Sequence, residues 1–171
     1  MLTLIQKFRT VNVKNRIIKR GALTAHFVYN GKKFRITNVH LAWEGGFKHT
    51  LNQLSYIQKE LSTNPVDYEI ILGDFNTYTP FRSLSKRRKI IENVLGNGLK
   101  DVFFDLPWSC DISYVSNHDK LAPFLRLLRK FKINLRFRFD YIFAKNLKTT
   151  YKEMLDLPGS DHRPLVCNLE F

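Results

Sequence analysis

Alternation of apolar and polar residues predicts a pair of strands in the first quarter of the chain. The opening segment MLTLIQKFRTVNV has the composition of strand, and NRIIKRGALTAHFVY is joined to FRITNVHL through Asn30-Gly31. Both residues of this turn tolerate a positive φ, which is the strongest short-range signal for a tight β-hairpin.

Four later segments also have strand character. YEIIL is a short apolar run that closes abruptly at Gly73, and DVFFD is a possible short strand. NLRFRFDYIFA shows the clearest alternation in the chain, with apolar residues at every second position. The final segment, PLVCNLEF, predicts a terminal strand. Period-two alternation is typical of a strand with one buried face.

Helical spacing follows the hairpin and the YEIIL strand. In KHTLNQLSYIQKEL, leucine and isoleucine recur every three or four residues, which places them on one helical face. SLSKRRKIIENVLGNG predicts a second helix, with Ser83 or Ser85 as its N-cap and Gly96 as its stop.

A third helix is predicted over KLAPFLRLLRKF, with Pro123 near its first turn. Strands and helices alternate without the regular rhythm of a doubly wound parallel sheet, and a hairpin is present. These features favour an α/β sandwich with mixed sheets. A length of 171 residues suits one domain with a real core, so we expect a single domain over residues 1–171.

Charge is the unusual feature of the composition. The chain contains 28 Lys and Arg against 15 Asp and Glu, a net charge of +13. Such a surface favours polyanions, either nucleic acid or anionic lipid headgroups, although charge that serves only solubility is the alternative.

Cysteine content and hydropathy point to a soluble intracellular protein. Two cysteines are too few for a disulfide framework, and Cys167 lies in an apolar strand pattern that favours a buried free thiol. No run reaches the ~18 apolar residues of a membrane span, and the first residues lack the apolar length of a secretory signal.

Four groups of polar residues fall at or just after the ends of predicted strands. They are Asn38 with His40, Asp74 with Asn76, Asp140, and the pair Asp161-His162. Taken singly, each group has a structural explanation: a hydrogen-bonded histidine, an Asx turn, an exposed ion pair, and a turn or cap. A carboxylate and an amide two residues apart can also hold a divalent cation and a phosphate oxygen.

Taken together, the motifs NVHL, GDFN, FDYIF and SDHRP resemble the endonuclease/exonuclease/phosphatase, or DNase I-like, superfamily of metal-dependent phosphodiesterases. The resemblance runs from about residue 20 to the C-terminus, and the segment HLAWEGG with the helix after it is also similar to members of this superfamily. It implies a four-layer αββα sandwich with mixed, mostly antiparallel sheets and a site at the mouth between them.

The resemblance also implies catalytic roles. His162 is expected to be the general base that draws a proton from water, and Asp140 the carboxylate that orients it. His40 is expected to be the second histidine, which stabilises charge on the phosphate or assists the leaving group.

A metal site is implied by the same resemblance. Asp74 and Asn76 are expected to position phosphate, water and cation, with Asp161 as a further metal-site carboxylate. Hydrolysis of an anionic phosphodiester needs positive charge at the site, and oxygen ligands suit a hard cation. We therefore expect Mg²⁺ as cofactor, with Mn²⁺ as a substitute.

The family pattern begins earlier than this chain does. It normally opens with a strand carrying an Asn, then a helix, then a strand ending in Gln-Glu, whose glutamate is the principal metal ligand. Residues 1–43 contain no Asp or Glu. The resemblance therefore implies that N-terminal strands are lacking and that an apolar sheet face is exposed. A truncated product, a fragment, a degenerate copy, and a domain completed by another segment or a second chain are the alternatives that the sequence leaves open.

Nucleic acid is the first expectation for the substrate. SKRRK follows GDFN closely, and a second basic cluster extends from residue 126 to residue 138. Arg20, Asn38 and Trp43 are the candidates for substrate contacts, and Trp43 with Phe47 could stack on a base. For the basic runs, the alternative is a solvated helix face.

Two further functions fit the sequence. An anionic phospholipid, such as a phosphoinositide or sphingolipid, is the second substrate class, with FFDLPW as the candidate for an exposed apolar loop. A catalytically impaired module that binds nucleic acid through its basic surface is the other alternative.

Overall fold

A computed structural model describes residues 20–77, 83–112 and 135–171, the isolated positions 123, 127, 130, 131 and 133, and the backbone of three short strands before residue 20. The elements, in chain order, are β1 (Gln6–Lys7), β2 (Val11–Val13), β3 (Arg16–Ile18), β4 (Gly21–Tyr29), β5 (Lys32–His40), α1 (Gly46–Ser62), β6 (Tyr68–Asp74), α2 (Leu84–Leu95), β7 (Lys100–Asp101), β8 (Cys110–Asp111), β9 (Arg136–Phe137), β10 (Asp140–Lys145), β11 (Lys148–Met154) and β12 (Leu165–Glu170).

The central element is a six-stranded sheet with the order β1-β4-β5-β6-β10-β7. Its β5–β6 pair is parallel, and its other neighbouring pairs are antiparallel. The strands β11 and β12 form a separate two-stranded sheet. This arrangement confirms the mixed, mostly antiparallel sheet expected from the sequence.

The predicted turn and helix ends are confirmed. Asn30 and Gly31 join β4 to β5 with φ angles of 48° and 71°. The side chain of Ser83 caps α2 by accepting a hydrogen bond from the backbone N–H of Lys86, and Gly96 follows the last residue of the helix. These signals are local, which explains why the sequence alone located them.

Three layers pack in the described part of the chain. Both helices cover one face of the six-stranded sheet, and the core between them consists of Val39, Leu54, Ile57, Leu61, Ile71, Phe75, Ile91, Leu95, Tyr141 and Phe143. The second sheet covers the opposite face near β10, where Leu165, Cys167 and Leu169 pack against Ala144. The α/β sandwich is therefore confirmed, while most of the predicted third helix lies outside the described residues.

Among the described residues, the face that β11 and β12 cover is only partly covered next to β4. Leu23 and Phe27 lie on this side, paired in register with Asn38 and Phe34, and are 49% and 40% exposed. Apolar side chains on a sheet face are normally covered by another layer. Their exposure agrees with the expected open apolar face.

One predicted strand is interrupted. NLRFRFDYIFA forms β9 and β10, which belong to different sheets, with Arg138 between them. Arg138 does not alternate outward: it is fully buried, forms a 2.8 Å ion pair with Asp101, and lies over the ring of Tyr141. Burial of this charge is possible because Asp101 and backbone carbonyls, including that of Phe103, accept its hydrogen bonds.

Two further differences concern the strands β7 and β11. Of DVFFD, only Asp101 is in a strand, and a turn follows it because Asp101 accepts a hydrogen bond from the backbone N–H of Phe103. The strand β11 was not predicted, since KTTYKEM is largely polar. Pairing with β12 stabilises the extended conformation of β11, which its residue pattern does not indicate.

Candidate active site

Register across the main sheet places three polar residues in one row. His40 pairs with Asp74 across the parallel β5–β6 ladder, and Asp74 pairs with Asp140 across the antiparallel β6–β10 ladder. Directly paired residues project to the same face of a sheet. The row therefore lies at one edge of the sheet, on the face that β11 and β12 partly cover.

His162 joins this row from the loop before β12. Its Nδ1 lies 2.8 Å from Oδ2 of Asp140. The backbone around His162 is fixed by a β-bridge to Cys110 and by a 2.8 Å hydrogen bond from the N–H of Arg163 to the carbonyl of Ser109. A cavity of about 330 Å³ lies beside the pair, with Gly73 also in its lining. The predicted partners Asp140 and His162 are thus brought together.

Ser109 holds Asp140 in place, and sequence reasoning missed it. The fully buried hydroxyl donates a 2.8 Å hydrogen bond to Oδ2 of Asp140. It also accepts hydrogen bonds from the backbone N–H groups of Phe139 and Asp140, at 3.1 and 2.9 Å. A single serine before a short strand carries no pattern, so the sequence offered no signal for this role.

Replacing Ser109 by alanine is expected to lower the free energy of unfolding by about 1–3 kcal/mol, because two partly buried N–H groups lose their acceptor. Chemical denaturation measures the effect. Ser62→Ala is the matched control, since that hydroxyl is exposed, and it should change stability by no more than ~0.5 kcal/mol. Equal effects of the two substitutions would show that Ser109 does not support this loop.

The His162–Asp140 pair favours the protonated imidazole. The hydrogen bond to Asp140, followed by the contact with Cys110, raises the pKa of His162 from 6.5 to about 11. Between these two pH values, the folded protein keeps a proton that the unfolded chain has lost. The stabilisation from this pair is therefore fully present below pH 6.5 and is lost as the pH rises toward 11.

We expect the difference in melting temperature between wild type and His162→Asn to shrink from about pH 6.5 to about pH 10 in EDTA. Thermal unfolding followed by circular dichroism measures it. His26→Asn is the control: burial lowers the pKa of His26, so its difference should stay level over this range. A difference that grows with pH for His162→Asn would contradict the pairing.

Asp74 and Asn76 form a tight local unit after β6. The backbone N–H and the side-chain amide of Asn76 each donate a 2.9 Å hydrogen bond to Asp74, and the amide also donates to the carbonyl of Leu41. These bonds use the amide nitrogen and leave the amide oxygen for a ligand. Burial, and then the charge of Asp140, raise the pKa of Asp74.

His40 contacts Arg20 at the other end of the row. Its Nε2 lies 3.1 Å from Nη1 of Arg20 and 3.5 Å from Oδ2 of Asp74. A guanidinium can only donate, so Nε2 of His40 accepts this hydrogen bond. Arg20 also faces Glu44, at 3.9 Å.

The other predicted substrate contacts differ in their surroundings. Trp43 is 65% exposed close to His40, which excludes the alternative that it packs in the core. Asn38 is exposed on β5. Phe47 packs against the main core instead. Trp43 therefore has a ring face for a ligand, and Phe47 serves packing.

Asp161 is grouped with residues other than Asp74. Within the part of the chain that the structure describes, one set of His, Cys, Asp and Glu side chains has ligand atoms within 4.8 Å of one another, namely Cys110, Asp161 and His162. The predicted metal residues thus fall into two neighbouring sets, the Asp74–Asn76 unit and the set that contains Asp161. Cys110 had no signal in the sequence.

The basic clusters are partly structural. Arg87 of SKRRK is buried and donates a 2.7 Å hydrogen bond to the carbonyl of Thr77, while Lys86 and Lys89 are exposed. In the second cluster, Arg138 is buried and Arg136 is paired with Asp111 at 3.1 Å. Arg126, Arg129 and Lys132 lie outside the described residues.

In the candidate apolar loop FFDLPW, Phe104, Asp105 and Pro107 are exposed, and the other three residues are partly or fully buried. Phe103 is buried, and the ring of Trp108 lies under Arg136, 4.3 Å from the guanidinium carbon. Phe104 is exposed, with Arg88 over its ring. The loop therefore does not present the continuous apolar surface expected of a lipid-acting protein.

Comparison with solved structures identifies the fold. No protein-family profile and no curated protein matches the chain. One match is a D. rerio TDP2 structure in complex with a single-stranded DNA product, with TM-score 0.64 and 17% identity. The match spans 99% of this chain and 69% of that one. An endonuclease/exonuclease/phosphatase family protein from Leptotrichia buccalis is 20% identical, with TM-score 0.60, over 95% of this chain and 59% of that one.

The human Nocturnin catalytic domain with a bound sulfate anion is a third match, with TM-score 0.57 and 17% identity over 99% of this chain and 60% of that one. The protein thus shares the DNase I-like fold of these structures. None of the helices in the described residues is long and apolar enough to cross a membrane.

Proposed function

We propose that this protein hydrolyses phosphodiester bonds in nucleic acid, with His162 as the base that takes a proton from the attacking water. The observation that supports this most directly is the 2.8 Å contact between His162 and Asp140, beside Asp74 at one edge of the sheet. Asp140 would fix the tautomer of the imidazole and stabilise the imidazolium that forms. Ser109 would keep Asp140 in that position.

The donor set fits a divalent cation. Asp74 and the amide oxygen of Asn76 would hold Mg²⁺, with Mn²⁺ as a substitute, because hard cations prefer oxygen ligands. The raised pKa of Asp74 reflects burial and the nearby charge of Asp140, a crowding of carboxylates that a cation would relieve. When bound, it would supply positive charge that stabilises the phosphate oxygens and lowers the pKa of His162.

The opposite end of the row would bind the phosphate. His40 and Arg20 are in contact at 3.1 Å, and together they offer donors to an oxyanion that develops charge during hydrolysis. The exposed ring of Trp43 would stack on a base next to the cleaved bond. The net charge of +13 and the single-stranded DNA in the TDP2 complex support nucleic acid as the substrate class.

An assay of three substrates tests the proposal. Plasmid DNA, single-stranded RNA and a phosphoinositide vesicle are incubated with the protein in Mg²⁺ and in Mn²⁺. We expect cleavage of a nucleic acid that EDTA abolishes. Turnover of the phosphoinositide alone would assign the site to lipid substrates. Salt-dependent DNA binding without turnover in either metal would make the protein a binding module.

A further inference from the structure

We propose that Cys110, Asp161 and His162 form a second cation site, selective for thiophilic metals such as Zn²⁺, whose occupation removes His162 from its role as base. The proposal that a metal binds here rests on the geometry of these three residues alone. The inhibitory effect rests on the function proposed above.

The three side chains converge from two segments that the backbone holds together. Sγ of Cys110 lies 4.0 Å from Oδ2 of Asp161, and one ligand atom from each of the three residues lies within 4.8 Å of the others. A β-bridge joins Cys110 to His162, and the N–H of Asp111 donates a 2.8 Å hydrogen bond to the carbonyl of Asp161. The ligands are therefore close before any metal binds, and only small side-chain movements are needed.

The donor types distinguish this set from the oxygen-rich set at Asp74. Sulfur, imidazole nitrogen and carboxylate oxygen are the ligands that Zn²⁺ takes, whereas Mg²⁺ requires oxygen. Three protein ligands leave a fourth position for water, as in open zinc sites.

Asp140 supports the same assignment. Its hydrogen bond with Nδ1 of His162 leaves Nε2 as the nitrogen for a cation. A carboxylate that accepts the other ring N–H is the usual partner of a zinc-binding histidine, because it fixes the ring and raises its basicity. The carboxylate that orients His162 as a base would also orient it as a ligand.

Binding is accompanied by proton release. The Cys110 thiol and the protonated His162 imidazole each lose one proton to solvent as the sulfur–zinc and nitrogen–zinc bonds form, and no electrons are transferred. The nitrogen lone pair of His162 then lies in a bond to zinc and is not available to water. Zinc is thus expected to inhibit turnover that Mg²⁺ supports.

Cobalt substitution tests the site without any assay of activity. Co²⁺ is added to protein reduced with TCEP, and the near-ultraviolet thiolate-to-cobalt charge-transfer band is recorded. We expect the band in wild type and in Cys167→Ser, and its loss in Cys110→Ser. Cys167 is the matched control because it is a free cysteine on β12, where it packs against Ala144. No band in wild type, or a band that depends on Cys167, overturns the site.

Competition with a chromophoric chelator measures zinc affinity directly. Cys110→Ser and Asp161→Asn should each weaken binding at least ~10-fold, while Cys167→Ser should leave it unchanged. Melting temperatures without metal establish that each variant is folded, and Asp161→Asn provides the test if Cys110→Ser is not. Wild-type affinity in both Cys110→Ser and Asp161→Asn would overturn the assignment.

The inhibitory effect has its own readout, the ratio of Mg²⁺-supported turnover with and without one equivalent of Zn²⁺ in each variant. We expect a low ratio for wild type and Cys167→Ser and a ratio near one for Cys110→Ser. Equal inhibition of Cys110→Ser and wild type would refute the inhibition. If wild type cleaves no substrate, the proposed function and the inhibition are both wrong, and the cobalt spectra still decide the metal site.

Discussion

Replacing His162 by asparagine is expected to lower the rate of phosphodiester hydrolysis by about 10²–10⁴-fold, the usual contribution of a general base. Asparagine keeps a polar group of similar size but cannot take a proton from water. Initial rates on the nucleic acid that wild type cleaves, at saturating Mg²⁺, measure the effect. Asp140→Asn should also reduce the rate severely, because the amide no longer fixes the tautomer or stabilises the imidazolium.

The matched control is the same substitution at His26. That residue lies on β4 opposite Arg35, toward the other end of the strand pair from His40. His26→Asn should retain turnover within a factor of about two of wild type. Wild-type rates in His162→Asn would remove the central residue of the proposed mechanism, and an equal loss in both variants would indicate a general effect on folding.

Replacing Gly73 by alanine is expected to lower the free energy of unfolding by about 3–5 kcal/mol. Gly73 has a φ of +128°, which side chains rarely adopt, and a Cβ there would lie 2.0 Å from the carbonyl oxygen of Val39 and 2.8 Å from Oδ1 of Asn38. The neighbouring strand β5 must move to accept it. Because Asp74 follows directly, the same movement would disturb the row of His40, Asp74 and Asp140.

Gly98→Ala separates the effect of the positive φ from the effect of the close contact with Val39 and Asn38. Gly98 also has a positive φ, +77°, but a Cβ there would meet no atom within 4 Å. It should cost only about 1 kcal/mol. Thermal unfolding should therefore show a drop of about 10 °C for Gly73→Ala and of a few degrees for Gly98→Ala. Equal drops would mean that the contact with Val39 does not constrain the strand ends.

If both sites bind metal ions as proposed, His162 lies between a site for a hard cation and a site for a soft cation. The Asp74–Asn76 side offers oxygen atoms for a hard cation, and the Cys110 side offers sulfur for a soft one. A cation on the oxygen side would raise the acidity of His162 while leaving it free to react. A cation on the sulfur side would bind its lone pair, so the two metals would have opposite effects on turnover.

Features that depend on neighbouring residues were determined by the sequence itself. The Asn30-Gly31 turn and the Ser83 cap were predicted because each depends on a few consecutive residues. The order of polar groups at strand ends also indicated the fold, which the solved structures confirm. It further predicted that Asp140 and His162 would meet.

Features that depend on residues far apart in the chain were decided by the tertiary structure. Arg138 looked like one exposed residue of an alternating strand, yet it is buried because Asp101, distant in sequence, neutralises it. Ser109 and Cys110 carry no local signal, and they approach Asp140 and His162 only where β8 meets the loop before β12.

The two groups of features differ in the distance along the chain between the residues that determine them. Turns and caps are set by backbone conformation and hydrogen bonds within a few residues, so the local sequence specifies them. Burial of a charge, the support of a carboxylate and the assembly of metal ligands each require partners from separate strands. Those partners come from β8, from β10 and from the loop before β12, so only the tertiary structure shows that Ser109 and Cys110 join the predicted pair of Asp140 and His162.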